Sequence, residues 1–457
     1  MQKRVSINRL IIILFLLTSA TTLFAQPCDC KKVVQDVIKE VETNYAGFKD
    51  KATPAKEHIY RLFKEKAAAE AALGKLQCVE IIDGYLRFFR DPHLFVNDNK
   101  TGPMQKNKTL RIKPFKEEDL SIKGIWYSTT DESAVYMQEE NGRIRGYTVK
   151  AGDTAVGYGS LEFDFKETGK NTYRGMAYNK YEQAVMYTAT HHERNLLHIR
   201  SLATYTRNKQ AFKAYNEFKF SMLNDSVSYI KFHSFSSYFR KQIDTLVQNN
   251  RAKIENSKYL IIDVRGNGGG SITSFYKIFD FIYTNPTQFV SGYYYASPEV
   301  ISRTKQELEE ARKNADTAGI RSLEKDLREY EAHAGTLYLD SPSTMRRNII
   351  YPRPEKVVIL ADGNTGSAAE MFIIMAKQNS KTITAGTNTA GGADYVEPLF
   401  YWFCDSKYMV AIPHIKRSRL EYKNDIDNIG IPPDIPIKAP YDKWVDYVLK
   451  NILPKAK

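Results

Sequence analysis

Residues 356–395 constrain the fold more than any other stretch. The apolar run Val357, Val358, Ile359, Leu360 has the length and β-branching of a buried strand. Asp362, Gly363, Asn364 and Gly366 form a turn cluster. Ser367 then stands directly before Met371, Phe372, Ile374 and Met375, which recur at helical spacing. This strand–turn–helix order is a building unit of α/β folds. It also sets the Ser367 hydroxyl beside the unpaired N–H groups of a helix start, which suits a nucleophile whose attack creates an oxyanion. The same residues fit a capping box, Ser367 at N-cap and Glu370 at N3. Caps are far commoner than catalytic serines, so this stretch taken alone favours the cap.

The 457 residues are enough for two or three domains, and 42% apolar with 12% aromatic content supplies a substantial core. The net charge of +13 is spread among interleaved acids without a long basic run. A solvated surface accounts for it better than a nucleic-acid footprint. Residues 1–25 read as a signal peptide, with Lys3, Arg4 and Arg9 before an apolar run at 10–17 and the small-residue ending Ala25 before Gln26. That run is too short for a comfortable membrane span, and Gln26-Pro27 before Cys28 disfavours lipidation. The expected product is exported, periplasmic or extracellular, with no integral membrane span after signal removal. In an oxidising compartment a disulfide from Cys28 or Cys30 to Cys78 is expected, with Cys404 the fourth cysteine. No supporting ligand spacing accompanies Cys28-x-Cys30, so neither a metal nor a cofactor is expected.

The chain divides into a helical N-terminal segment at 26–109, a β-rich module at 110–217 that is a barrel or a sandwich, and an α/β core at 218–457. A charged helical insert interrupts the core at 298–335. Pro92 biases Asp91 away from helix, which puts His93 on a loop. His191 and His192 are adjacent and face opposite ways on a strand, against a shared metal. A second strand–turn–helix carries Gly266, Gly268, Gly269 and Gly270 after the buried run 259–263. It lacks both the dinucleotide and the phosphate-loop signatures. Its glycines exceed the needs of a turn and suit a row of N–H groups able to hold an oxyanion.

Three segments together resemble the C-terminal processing (tail-specific) serine peptidases. Asp263-Val-Arg265-Gly-Asn267-Gly-Gly-Gly270 is similar to that family's D-L-R-x-N-x-G-G loop. Thr365-Gly-Ser367-Ala-Ala-Glu370 resembles its nucleophile turn, and Asp427-Asn-Ile-Gly-Ile-Pro-Pro-Asp434 its closing E-G-x-G-x-x-P-D segment. Asp91-Pro-His93 matches a D-x-H element before the core. The resemblance spans roughly half the chain and tips Ser367 towards nucleophile. It implies a tail-specific-protease-like (ClpP/crotonase-like) core in a multidomain α/β fold, and a peptidase acting on peptides or unfolded protein. One departure is sharp: Gly392 stands where the Ser–Lys branch has its lysine. The histidine-using branch, similar to the tricorn core, then implies His93 as general base and Asp427 as its indirect orienter. That branch often has serine where this chain has Pro92. Gly269 or Gly270, with Ala368, would form the oxyanion hole. Glu421 and Asp425 are rival carboxylates, and Asp263 and Arg265 are expected to pin the glycine loop. No PDZ pattern is present. A similar core serves a photoreceptor retinoid carrier, so a non-catalytic peptide- or lipid-binding protein is the alternative, and an esterase a third reading.

Overall fold

The computed structural model describes residues 28–455 apart from 101–107, 113–120, 130–131, 152–156, 180, 182, 193–195, 200–201, 208, 210–217, 290–291, 340–342, 418–425 and 428. The leader, Glu421 and Asp425 therefore lie outside the described residues.

The N-terminal segment is helical for local reasons. Asp29 caps Cys30–Asn44 by accepting the Lys31 N–H at 3.0 Å. Val33, Val34, Val37, Ile38 and Val41 line its buried face at the spacing seen in the sequence. The next long helix, Glu57–Leu73, stops at Gly74, which adopts the left-handed φ of 62°. Cys78–Leu86 completes the group. These helices share one core with Tyr395, Val410 and Ile412 from the other end of the chain. Two disulfides fix the arrangement: Cys30–Cys78, as expected, and Cys28–Cys404, a pairing the spacing did not specify.

The β-rich module is a barrel. Eight strands run from Gly124–Ser128 to Ala203–Thr206, each antiparallel to the next, and the last returns to the first where Tyr127 faces Thr206. Closure removes the free edges that an open sheet leaves. Trp126, Val135, Met137, Phe163 and Phe165 belong to its buried cluster. His191 meets the Trp126 ring edge-on at 5.3 Å. The strand Phe95–Asp98 joins the barrel to the C-terminal hairpin, pairing with Ala184–His192 on one side and Tyr408–Arg417 on the other.

The core is a six-stranded sheet in the order Lys219–Asn224, Val227–Lys231, Tyr259–Asp263, Lys356–Ala361, Thr382–Gly386, Ile435–Pro436. Its first pair is antiparallel and the rest are parallel. The central strands carry unbroken apolar runs, 260–262 and 357–361, because both faces are covered. Helix Ala368–Lys377 packs on one face and the C-terminal turns around Trp444 on the other. Two helices, Arg240–Asn249 and Arg251–Asn256, lead from the second strand to the third. The insert is a hairpin of Pro298–Lys313 and Thr317–Ala332. No described helix is long and apolar enough to cross a membrane.

Candidate active site

The two central parallel strands end side by side, with Asp263 in register with Leu360. Their outgoing loops therefore meet at the carboxyl edge of the sheet, where open α/β sheets bind ligands. Asp362 ties the loops together. Its Oδ1 accepts from the Gly266 N–H at 3.0 Å, the Asn364 N–H at 3.1 Å and the Thr365 hydroxyl at 3.1 Å; its Oδ2 accepts from the Tyr441 hydroxyl at 2.5 Å. Gly366 N–H donates to Asn267 O at 3.0 Å, which closes the contact between loops.

Ser367 sits on this clamped turn with φ 51° and ψ −120°. An L-residue in that corner is strained, and such strain persists only where the surroundings over-determine it. An N-cap serine normally takes the unstrained β-region. The capping box exists, since Glu370 accepts the Ser367 N–H at 3.0 Å, yet capping gives no reason for the strain. A nucleophile does: a sharp strand-to-helix turn presents its Oγ at the mouth of the turn.

The glycine loop approaches to backbone contact. A Cβ on Gly269 would stand 2.7 Å from Gly366 O and 2.8 Å from both Ala368 N and Ser367 Cβ, so only glycine fits. Gly269 itself is not an open donor, because its N–H is held by Asn267 Oδ1 at 3.0 Å. Of the three expected oxyanion donors, Gly270 and Ala368 retain N–H groups without an acceptor among the described residues. Gly270 bridges Phe235 through its neighbours: Phe235 N–H donates to Gly269 O at 3.0 Å and Ser271 N–H to Phe235 O at 2.8 Å. That alternation turns the Gly270 N–H away from Phe235.

Glu370 is wholly buried and meets four donors. Ser367 N–H and Gly392 N–H (2.8 Å) reach Oε2, and Thr389 Oγ1 (2.6 Å) and Gly391 N–H (2.7 Å) reach Oε1. Burial pushes its pKa up against these bonds. The loop that carries the lysine in the resembling peptidases is thus sewn to the serine turn. A Cβ on Gly392 would lie 3.3 Å from Pro92 Cγ and 3.5 Å from His93 Cε1. Pro92 and His93 thus pack closely against Gly392.

His93 is half-buried, and its Nδ1 has no hydrogen-bond partner among the described residues. The His93 backbone N–H donates to Asp91 Oδ1 at 2.8 Å, while the Tyr45 hydroxyl donates to Asp91 Oδ2 at 2.8 Å. Asp427 lies one step further back. Its Oδ2 is 3.5 Å from Lys51 Nζ, and its Oδ1 accepts the Asp394 N–H at 3.3 Å. Asp394 in turn accepts the Ile426 and Asp427 N–H groups at 2.8 and 2.9 Å. Burial raises the Asp91 pKa; the His93 charge, hydrogen bonds and Lys51 oppose it. Burial also raises Asp427, reinforced by Asp91 and Asp394 and opposed by Lys51 and by the Asp394 N–H. The carboxylate beside His93 is Asp91, with Asp427 behind it.

Ser367, His93, Asp427 and the oxyanion donors carry signals in the sequence; Tyr45, Lys51 and Asp394 do not. Lys51, in Phe48–Lys51, follows no motif, and only the packing of the N-terminal helices brings it in. Among the described residues no cluster could hold a metal.

The raised Asp427 pKa has a measurable sign. A group whose pKa rises on folding adds stability while protonated and loses it as pH climbs through the folded value. Asp427→Asn removes that titration while keeping the shape. Relative to wild type, the variant should gain thermal stability from mildly acid to neutral pH. A constant difference across that range would show that Asp427 does not titrate there.

Residues 226–437 match the model of peptidase family S41. The match takes in the core sheet from Val227–Lys231 onward, with Ser367 and Asp427 inside it and Lys219–Asn224, His93, Lys51 and the barrel outside. Mature CPAF complexed with lactacystin aligns at 12% identity and a TM-score of 0.50, covering 92% of this chain and 97% of that one. At that identity the likeness is one of fold. A photosystem II D1 C-terminal processing protease aligns at 12% identity and 0.42, over 90% of this chain and 93% of that one. No curated protein matches the sequence.

Proposed function

We propose, from the premise that residues 226–437 belong to peptidase family S41 and make this chain a serine peptidase, that it cuts peptide bonds through an acyl-enzyme on Ser367. The observation carrying the reading is the strained Ser367 backbone clamped between the glycine loop and a helix start. His93 takes the Ser367 hydroxyl proton as Oγ attacks the peptide carbonyl. The N–H groups of Gly270 and Ala368 hold the oxyanion, a contribution of about 3 kcal/mol per donor in comparable sites. His93 then returns the proton to the leaving amine, and water hydrolyses the ester. Asp91, backed by Tyr45 and the Asp427–Lys51 pair, steadies His93. The leader-like residues 1–25 and the two disulfides support export to an oxidising compartment. Substrates are peptides or unfolded protein.

A fluorophosphonate probe tests this. Wild type should be labelled and should cleave an unfolded protein. Ser367→Ala should do neither, and His93→Gln should react about 100-fold or more slowly. Folded wild type that takes no Ser367-dependent label and cleaves nothing would instead be a binding protein on the same core. Full reactivity in His93→Gln would remove His93 as base.

A further inference from the structure

We propose that the last hairpin of the barrel is a positioning element for the nucleophile, with Thr204 and His198 holding Asn364 and, through it, the turn that carries Ser367. The inference rests on reading Ser367 as the nucleophile. His198 on Leu196–Ile199 and Thr204 on Ala203–Thr206 are cross-strand partners. His198 Nδ1 lies 3.0 Å from Thr204 Oγ1. The Asn364 side-chain amide donates to Thr204 Oγ1 and stands 3.5 Å from His198 Nδ1. All three residues are buried.

Two features make this more than contact between neighbours. First, the Asn364 side chain finds its polar partners in the barrel, and its Oδ1 has none among the described residues. The backbone of the turn is held by the core through Asp362, Thr365 and Gly366, but this side chain is held by the barrel. Second, the barrel side of the contact is itself fixed. Thr204 O accepts the Thr129 N–H at 2.8 Å and the Thr129 hydroxyl at 2.9 Å. A strained residue three positions away needs such over-determination. Asn364 donates to Thr204 Oγ1, and in the Thr204–His198 contact the donor is the hydroxyl or the imidazole according to the tautomer.

Thr204→Val keeps shape and β-branching while removing the bridging hydroxyl. It should lower kcat and the fluorophosphonate labelling rate of Ser367 by about 10-fold with KM unchanged, since small misplacements of reacting atoms are costly. Thr204→Ser should restore most of the rate. Trp126→Leu, a core change elsewhere in the barrel, should lower the melting temperature yet leave the folded protein labelling at the wild-type rate. Wild-type labelling by Thr204→Val overturns the proposal, as does equal slowing in Trp126→Leu, which would make the effect one of barrel stability. If Thr204→Val does not fold, Asn364→Ala removes the contact from the other side and is read against the same two outcomes. A wild-type protein that does not label at all removes the premise, and the proposal falls with it; labelling wild type with an equally reactive Thr204→Val sinks the positioning role alone.

Discussion

Ser367→Gly should be a more stable protein than Ser367→Ala, and both should lose at least about 10⁴-fold in peptidase activity. Neither variant has a hydroxyl, so neither can form the acyl-enzyme. They differ in the backbone. At φ 51° and ψ −120° a Cβ is strained, by roughly 1–3 kcal/mol. Glycine relieves that strain while its freer unfolded chain costs about 0.5–1 kcal/mol relative to alanine. The balance favours glycine by about 1 kcal/mol, measurable in denaturant titrations of the two inactive variants. Alanine the more stable by about 0.5–1 kcal/mol, the unfolded-chain cost of glycine alone, would mean the turn carries no strain and remove the argument that separates nucleophile from cap.

Arg265→Leu should destabilise the core by about 3–5 kcal/mol, because it leaves a buried carboxylate without its main partner. Arg265 holds Asp263 through Nε (2.9 Å) and Nη2 (2.7 Å), and its Nη1 donates to Tyr441 O at 2.6 Å. Both side chains are almost fully buried. Burial would raise the Asp263 pKa, but the charges of Arg265 and Lys231 and its hydrogen bonds hold it far below the ordinary carboxylate range. The remaining cation, Lys231, stands 3.9 Å away and is itself lowered to about 8 by burial. A depressed carboxylate pKa gives stability that is present above the unfolded pKa and fades as pH falls through the folded one. The deficit of Arg265→Leu should therefore be largest near neutral pH and narrow in acid. A deficit below about 1 kcal/mol at neutral pH would contradict the buried-pair argument.

What the sequence made legible was local in the chain. The glycine loop and the Ser367 turn each lie within one strand–turn–helix, so spacing revealed them, and Arg265 pins its loop to Asp263 two residues away. Distance in the chain hid the rest. Closing the barrel depends on Tyr127 meeting Thr206, and periodicity cannot tell a closed sheet from a sandwich. The cluster around His93 draws Tyr45 and Lys51 from the first helices and Asp394 and Asp427 from the last third of the chain. No motif links them. Gly269 shows a different limit: its need for glycine was readable from the run of three, but not that Asn267 already occupies its N–H.

The Cys28–Cys404 bond has a topological consequence. It closes most of the polypeptide, including the whole barrel, the helical hairpin and Ser367, into one covalent ring. Opening a ring at one place does not divide it. A single cut at any peptide bond between those cysteines leaves one molecule, its new ends still held near their native neighbours by the surrounding fold. For a peptidase whose own exposed loops are within reach of its sister molecules, the first nick does not release a fragment.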